Sequence, residues 1–319
     1  MAVAPDPSGQ HFVTCQLCED NVQFYCRPCR IRLCVKCVSP HLETNAPDHN
    51  IVYYHKRFWT TTRFLHDPHL VKNIPCGCIA MLCIRYTSDR QIFVISHGSS
   101  DINLVNTDGT LVRTFSPERL LPNLTPYKDG ALYTDKEGIR KINSKDDKLF
   151  ISIHGELRGI EFMEPNFIFV CNSSKVEKYT TDGKRLLKIE YDDKGDHIYK
   201  NPTKISINGN GDICVAEYAR TDVLIPSVTV VDNCGKYRFS YGLEPKSDYS
   251  CMMDLCCDSC FHIIIVCDKI QVIDKDGNFL RYLVYDGIKN PLSVTIDNDD
   301  NLYVSELFDK YVRVLKYLY

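Results

Sequence analysis

Six apolar runs recur along this 319-residue chain, each closing on a polar side chain: IFVIS (92–96), ALYTD (131–135), IFVCN (168–172), ICVAE (213–217), IIVCD (264–268) and LYVSE (302–306). Their ends lie 39, 37, 45, 51 and 38 residues apart. Between them stand shorter alternating segments such as DINLVN, KVEKYT and VTVVDN, divided by turns such as NTDGT, TTDGK, NGNGD, DKDGN and DNDDN. Asp-Gly and Asn-Gly supply the left-handed backbone that tight hairpins require. A unit of about forty residues made of short strands and hairpins is the pattern of a β-propeller blade. Six units predict a mostly β chain with a six-bladed ring over residues 76–319. The last unit, Pro291 to Tyr319, offers three strands and stops. Ring closure therefore needs a fourth strand from ahead of the first blade, within 64–75, which would also cover an open sheet edge.

The amino-terminal region follows different physics. Six of the 17 cysteines fall between Cys15 and Cys37, in the order C-x2-C-x7-C-x2-C-x4-C-x2-C, followed by His41 and His49. Eight thiolate and imidazole donors suit two tetrahedral zinc ions, and a full donor set leaves no position open for water, so the sites are structural. The segment has few apolar residues, and roughly 40 residues with so small a core seldom fold without metals or disulfides. Metal binding and folding are then one event. The start MAVAPDPSGQHFVT lacks a basic, apolar leader, which points to a reducing, cytoplasmic setting where clustered cysteines hold metals rather than form disulfides.

The string CQLCEDNVQFYCRPCRIRLCVKCVSPHLETNAPDHNIV resembles a B-box zinc finger of the tripartite-motif proteins. The resemblance implies a cross-brace in a module over 10–52. One zinc would take Cys15, Cys18, Cys34 and Cys37, and the other Cys26, Cys29, His41 and His49. The all-cysteine first pair is nearer the first B-box type than the second, where a histidine usually stands in the place of Cys18. The final unit, P-x-x-V-x-I-D-x-D-x-x-L-Y-V-S-E over 291–306 with V-x-V at 312–314, is similar to an NHL repeat. Units at 202–232 and 253–280 match less well, the first three are degenerate, and the Asn-His-Leu letters that name the repeat are missing. A B-box followed by an NHL propeller is itself a tripartite-motif arrangement. It implies an adaptor whose propeller recognises a protein, or a substrate-recognition component in ubiquitin transfer. No RING finger fits ahead of Cys15, and the linker over 53–75 is too short for sustained heptads, so ubiquitin transfer would need a RING-bearing partner.

No catalytic constellation accompanies these features. His97, His154, His197 and His262 fall in different units without a companion nucleophile, which predicts a non-enzymatic protein. Cys257-x2-Cys260 has no second pair, and the eleven cysteines from Cys76 to Cys267 read as buried thiols. From residue 72 onward 31 basic residues face 35 acidic ones, a net of −4. That balance disfavours RNA, leaving a local basic patch at Lys175, Lys178, Lys184 and Arg185 as the alternative. The polar residues that close the six runs, Ser96, Asp135, Asn172, Glu217, Asp268 and Glu306, should share one rim of the ring. They either hydrogen-bond the loops that follow them or present a rim that prefers a basic partner. The longest apolar stretches, such as FHIIIVC, fall far short of the ~20 residues of a membrane span.

Overall fold

The computed structural model describes residues 15–18, 24–26, 29, 31–42, 51–53, 64–117, 123–218, 226–243 and 254–319. The chain divides into two compact units, Met1–Arg63 and Phe64–Tyr319. In the first, strands Phe24–Cys26, Ile31–Leu33 and Ile51–Tyr53 form a small antiparallel sheet with Phe24–Cys26 in the middle. A hairpin pairs Cys26 with Ile31 and so places Cys29 in its turn. The helix Val35–Leu42 follows directly. Among the described residues of this unit, Cys15, Cys26, Leu33, Cys34 and His41 are buried, a core made mainly of metal-ligand side chains.

The second unit holds six four-stranded antiparallel sheets among the described residues. Blade 1 comprises Met81–Tyr86, Gln91–Ser96, Ile102–Asn106 and Leu111–Phe115. Blade 2 follows with Leu124–Tyr127, Gly130–Thr134, Gly138–Ile142 and Asp147–Ser152. Blade 3 uses Leu157–Met163, Phe167–Asn172, Lys175–Thr180 and Arg185–Ile189. Pro202–Ile207, Ile213–Glu217, Ser227–Val231 and Tyr237–Gly242 make blade 4. Blade 5 is Asp254–Cys257, Ile263–Val266, Ile270–Ile273 and Phe279–Leu283. Blade 6 takes Pro291–Ile296, Leu302–Glu306 and Tyr311–Leu318 from the end of the chain and Phe64–Pro75 from the start of the unit. That last strand pairs antiparallel with Tyr311–Leu318, from Tyr311 opposite Pro75 to Leu318 opposite Phe64.

The alternation of side chains along a strand explains why the second strands read as unbroken apolar runs. In blade 1, Ile92 and Val94 pack toward blade 6, while Phe93 and Ile95 pack toward blade 2. Both faces of the sheet are therefore buried. Six such apolar clusters, one between each pair of neighbouring blades, make up the core and close the ring. Turn chemistry sets the hairpins between third and fourth strands. In blades 1, 3, 4 and 5 a glycine with φ near +90° (Gly109, Gly183, Gly235 and Gly277) donates its amide back across the turn. The ladder then slips by one residue, the mark of a glycine bulge.

Candidate metal centre

The first unit brings its cysteines and a histidine into two groups. Cys15, Cys18, Cys34 and Cys37 form one, and Cys26, Cys29 and His41 form the other, with ligand atoms in each group within 4.8 Å of one another. His49 lies outside the described residues. Local structure explains the sorting. Cys15 and Cys18 straddle a turn that pairs with the strand leading to the helix, through Gln16 N donating to Arg32 O at 2.9 Å. Cys34 precedes the helix and accepts from Cys37 N at 3.1 Å, so both sulfurs sit at the helix start. His41 is one turn further along the same helix and points to the other group. One eight-residue helix thus serves both groups, and the ligand pairs alternate along the chain.

The donor set fits zinc. Cys18 Sγ is 3.4 Å from both Cys34 Sγ and Cys37 Sγ. A zinc–sulfur bond of about 2.3 Å in a tetrahedron spaces sulfurs by about 3.8 Å, close to these two separations and within the 4.8 Å that bounds the whole group. The electrostatics agree. Burial resists ionisation of Cys15, but amide donors from Leu17, Cys34 and Cys18 outweigh it and bring the thiol to about 7. Cys37 is pushed well up, first by its hydrogen bond with Cys18 and then by burial. The quartet accepts one negative charge readily and resists the next. A dication removes that resistance.

The six polar residues that close the second strands all lie at or just beyond the ends of those strands, and four of them bond within their own blades or to neighbouring backbone. Asp135 accepts from the amides of Glu137 at 2.8 Å and Gly138 at 3.1 Å. Asn172 donates to His154 O and to Glu177 Oε2, and a side chain on Gly155 would collide with it. Glu217 Oε2 accepts from Lys200 N at 2.6 Å and Asn201 N at 3.2 Å, and its Oε1 from Thr229. Glu306 repeats this arrangement with Lys289 N at 2.7 Å and Asn290 N at 3.4 Å, and also meets Arg313. These four are buried; Ser96 and Asp268 are half-buried. Glu217 and Glu306 stitch blades 4 and 6 to the loops that lead into them, while Asp135 holds the turn that follows its own strand.

The patch at Lys175, Lys178, Lys184 and Arg185 is partly neutralised. Lys175 and Arg185 reach the buried Glu177 at 3.5 and 2.9 Å, and Lys178 stacks on Phe167 at 4.1 Å. Of the later cysteines, Cys83, Cys171, Cys214, Cys256, Cys257 and Cys267 are buried, Cys76, Cys78 and Cys260 half-buried and Cys234 exposed. Cys251 lies outside the described residues.

A second charged centre escaped the sequence. On the innermost strands, Arg85 of blade 1 grips Asp254 of blade 5 through two bonds of 3.0 and 3.1 Å. Ser293 of blade 6 donates to the same carboxylate and accepts from Ile84 N at 3.0 Å. Burial would raise Asp254, but Arg85, then Lys204, hold it below the usual carboxylate range. Glu161, at the matching position of blade 3, is raised to about 7 by burial, against which Arg85 acts only in part. The only sequence signal was a lone acid, Asp254, at the head of the apolar strand DLCC.

With the geometry in hand, comparison with known proteins identifies the ring alone. The chain is similar to the WD40 β-propeller domain of Doa1, with a TM-score of 0.53 and 11% identity, covering 73% of this chain and 78% of that one. It is also similar to a streptogramin B lyase, with a TM-score of 0.51 and 14% identity, over 79% and 98%. At these identities the likeness concerns fold. No protein-family model matches the sequence, and no curated protein matches it. Among the described residues no helix is long and apolar enough to cross a membrane.

Proposed function

We propose that this protein is a non-enzymatic adaptor of the tripartite-motif kind, in which a two-zinc B-box module over 10–52 is joined, through a segment over 53–75 that includes the closing strand Phe64–Pro75, to an NHL-type propeller that recognises a protein in the cytoplasm. The observation that carries the reading is the alternation of ligand pairs: Cys15 and Cys18 meet Cys34 and Cys37, while Cys26 and Cys29 meet His41. His49 completes the second site. Each zinc ion, when bound, supplies a fixed tetrahedral cross-link and no reaction chemistry. The residues around it determine the fold: the hairpin bearing Cys26 and Cys29 is clamped to the end of the helix, and the turn bearing Cys15 and Cys18 to its start. A propeller face supports recognition because its loops are free to vary while the inter-blade cores hold them in place.

Three measurements test the reading. Native mass spectrometry finds two zinc ions per chain; one or none overturns the cross-brace. Partners captured from extract by the propeller survive ribonuclease; loss of all of them transfers the function to RNA. Purified chain with ubiquitin-activating and conjugating enzymes alone builds no ubiquitin chains, and the appearance of such chains refutes the adaptor.

A further inference from the structure

The two metal groups differ in how their sulfurs meet solvent. In the first, Cys15 and Cys34 are buried, Cys37 is half-buried and Cys18 is exposed. Exposed Cys18 lies 3.4 Å from both Cys34 Sγ and Cys37 Sγ, and of these two Cys37 is the more open to solvent. In the second group Cys26 and His41 are buried and Cys29 is half-buried, so no ligand of that group among the described residues is exposed. Oxidation of cysteine follows thiolate character and access, and a nearby second thiol resolves the first product into a disulfide. A zinc ion held by the four sulfurs would keep Cys18 as the thiolate, with its resolving sulfur within reach.

From this asymmetry we propose that the four-cysteine site is a peroxide-sensitive modification site, at which Cys18 and Cys37 join in a disulfide and release one zinc while the second site keeps its ion. The inference rests on the two-zinc reading above. Cys18 Sγ attacks one oxygen of hydrogen peroxide, the O–O bond breaks, and the other oxygen leaves as water after taking a proton. Cys37 Sγ then attacks the sulfenic sulfur, the S–S bond forms, and the second oxygen leaves as water with a second proton. Two zinc-bound thiolates, one peroxide and two protons give one disulfide and two waters. The sulfurs lose two electrons and the peroxide gains them. Only Cys15 and Cys34 would then remain to hold a zinc ion at this site, too few to keep it. A small-thiol reductant with added zinc reverses the step by thiol–disulfide exchange.

The consequence is a graded response. Loss of the first zinc frees the turn at 15–18 from the helix start, while the hairpin and the helix end stay clamped by the second. An oxidant signal would loosen one edge of the module and leave the rest folded.

The test uses the full chain and counts zinc by native mass spectrometry before and during a hydrogen peroxide titration, with the disulfide mapped by peptide mass spectrometry. The comparison variant is Cys18→His, which keeps a zinc ligand and removes the exposed thiol. Expected are two zinc ions at the start, a single-zinc species carrying a Cys18–Cys37 bridge, and at least about tenfold slower first release in Cys18→His. Simultaneous loss of both ions, any bridge other than Cys18–Cys37, or equal release rates in the variant overturn the inference while leaving the two-zinc reading intact. Fewer than two ions before any peroxide overturns both. If Cys18→His itself starts with one ion, Cys37→His supplies the same comparison by removing the resolving thiol.

Discussion

The first unit and the ring solve the same problem by opposite means. In Met1–Arg63 the buried side chains of the described residues are mostly sulfur and imidazole, and seven donors among those residues gather at two points. In Phe64–Tyr319 the core is six apolar clusters, each shared by two blades, and no single cluster defines the fold. A metal-built unit is therefore brittle, since loss of one ligand removes a whole cross-link. A ring of shared cores is tolerant, and its weak points are where charge is buried or where the chain ends must meet.

The largest effect should come from the brittle side. Cys26→Ala removes a buried ligand, and structural zinc in small fingers is worth about 10–16 kcal/mol of coupled folding at neutral pH. The module's zinc count should fall and its amide exchange become rapid, while the ring's calorimetric transition stays in place. A ring transition that moves with Cys26→Ala would break the comparison.

Within the ring the largest effect is expected where charge is buried. Asp254→Ala leaves Arg85 without its carboxylate on the inner strands of blades 1, 5 and 6, a loss of about 3–5 kcal/mol. Urea unfolding should show this, with zinc content unchanged. Replacing the pair together, Arg85→Met with Asp254→Leu, should recover much of that loss, because an apolar pair avoids the desolvation of two ions.

Glu161 sharpens the picture through pH. Its carboxyl sits at about 7 in the ring against 4.5 when unperturbed. The folded ring therefore holds a proton that the unfolded chain releases, and the stability this brings is full below about pH 4.5 and lost as pH rises toward 7. Glu161→Gln should match the parent near pH 4.5 and melt higher than the parent at pH 7.5. Equal melting differences at both pH values would show that Glu161 is unperturbed. The smallest effect is at Tyr199, whose fully buried hydroxyl, between blades 3 and 4, has no hydrogen-bond partner among the described residues. Tyr199→Phe should leave stability unchanged or raise it by about 1 kcal/mol, as removal of an unsatisfied buried polar group does.

The parts that were legible in the sequence are those set by local spacing. Ligand pairs two residues apart, Asp-Gly turns and apolar runs every forty residues or so all act over a few residues. The innermost strands were harder. Leu124–Tyr127 is four residues with a proline, and Leu157–Met163 contains Gly159 and Glu161, so neither shows clean alternation. The Arg85–Asp254 pair joins residues 169 apart, a distance no local pattern spans. The column from Ser96 to Glu306 shows a third case. Its polar identity was visible, but only the hydrogen bonds of Asp135, Asn172, Glu217 and Glu306 reveal that these side chains serve the fold from the inside.

Cadmium-113 NMR of the cadmium-substituted protein tests the central claim, two interleaved metal sites of different donor sets, most directly. The proposed cross-brace predicts two resonances of equal intensity. One lies in the range of four sulfur donors, from Cys15, Cys18, Cys34 and Cys37. The other lies in the range of two sulfurs and two nitrogens, from Cys26, Cys29, His41 and His49. A single resonance, or two in the same mixed range, would contradict it.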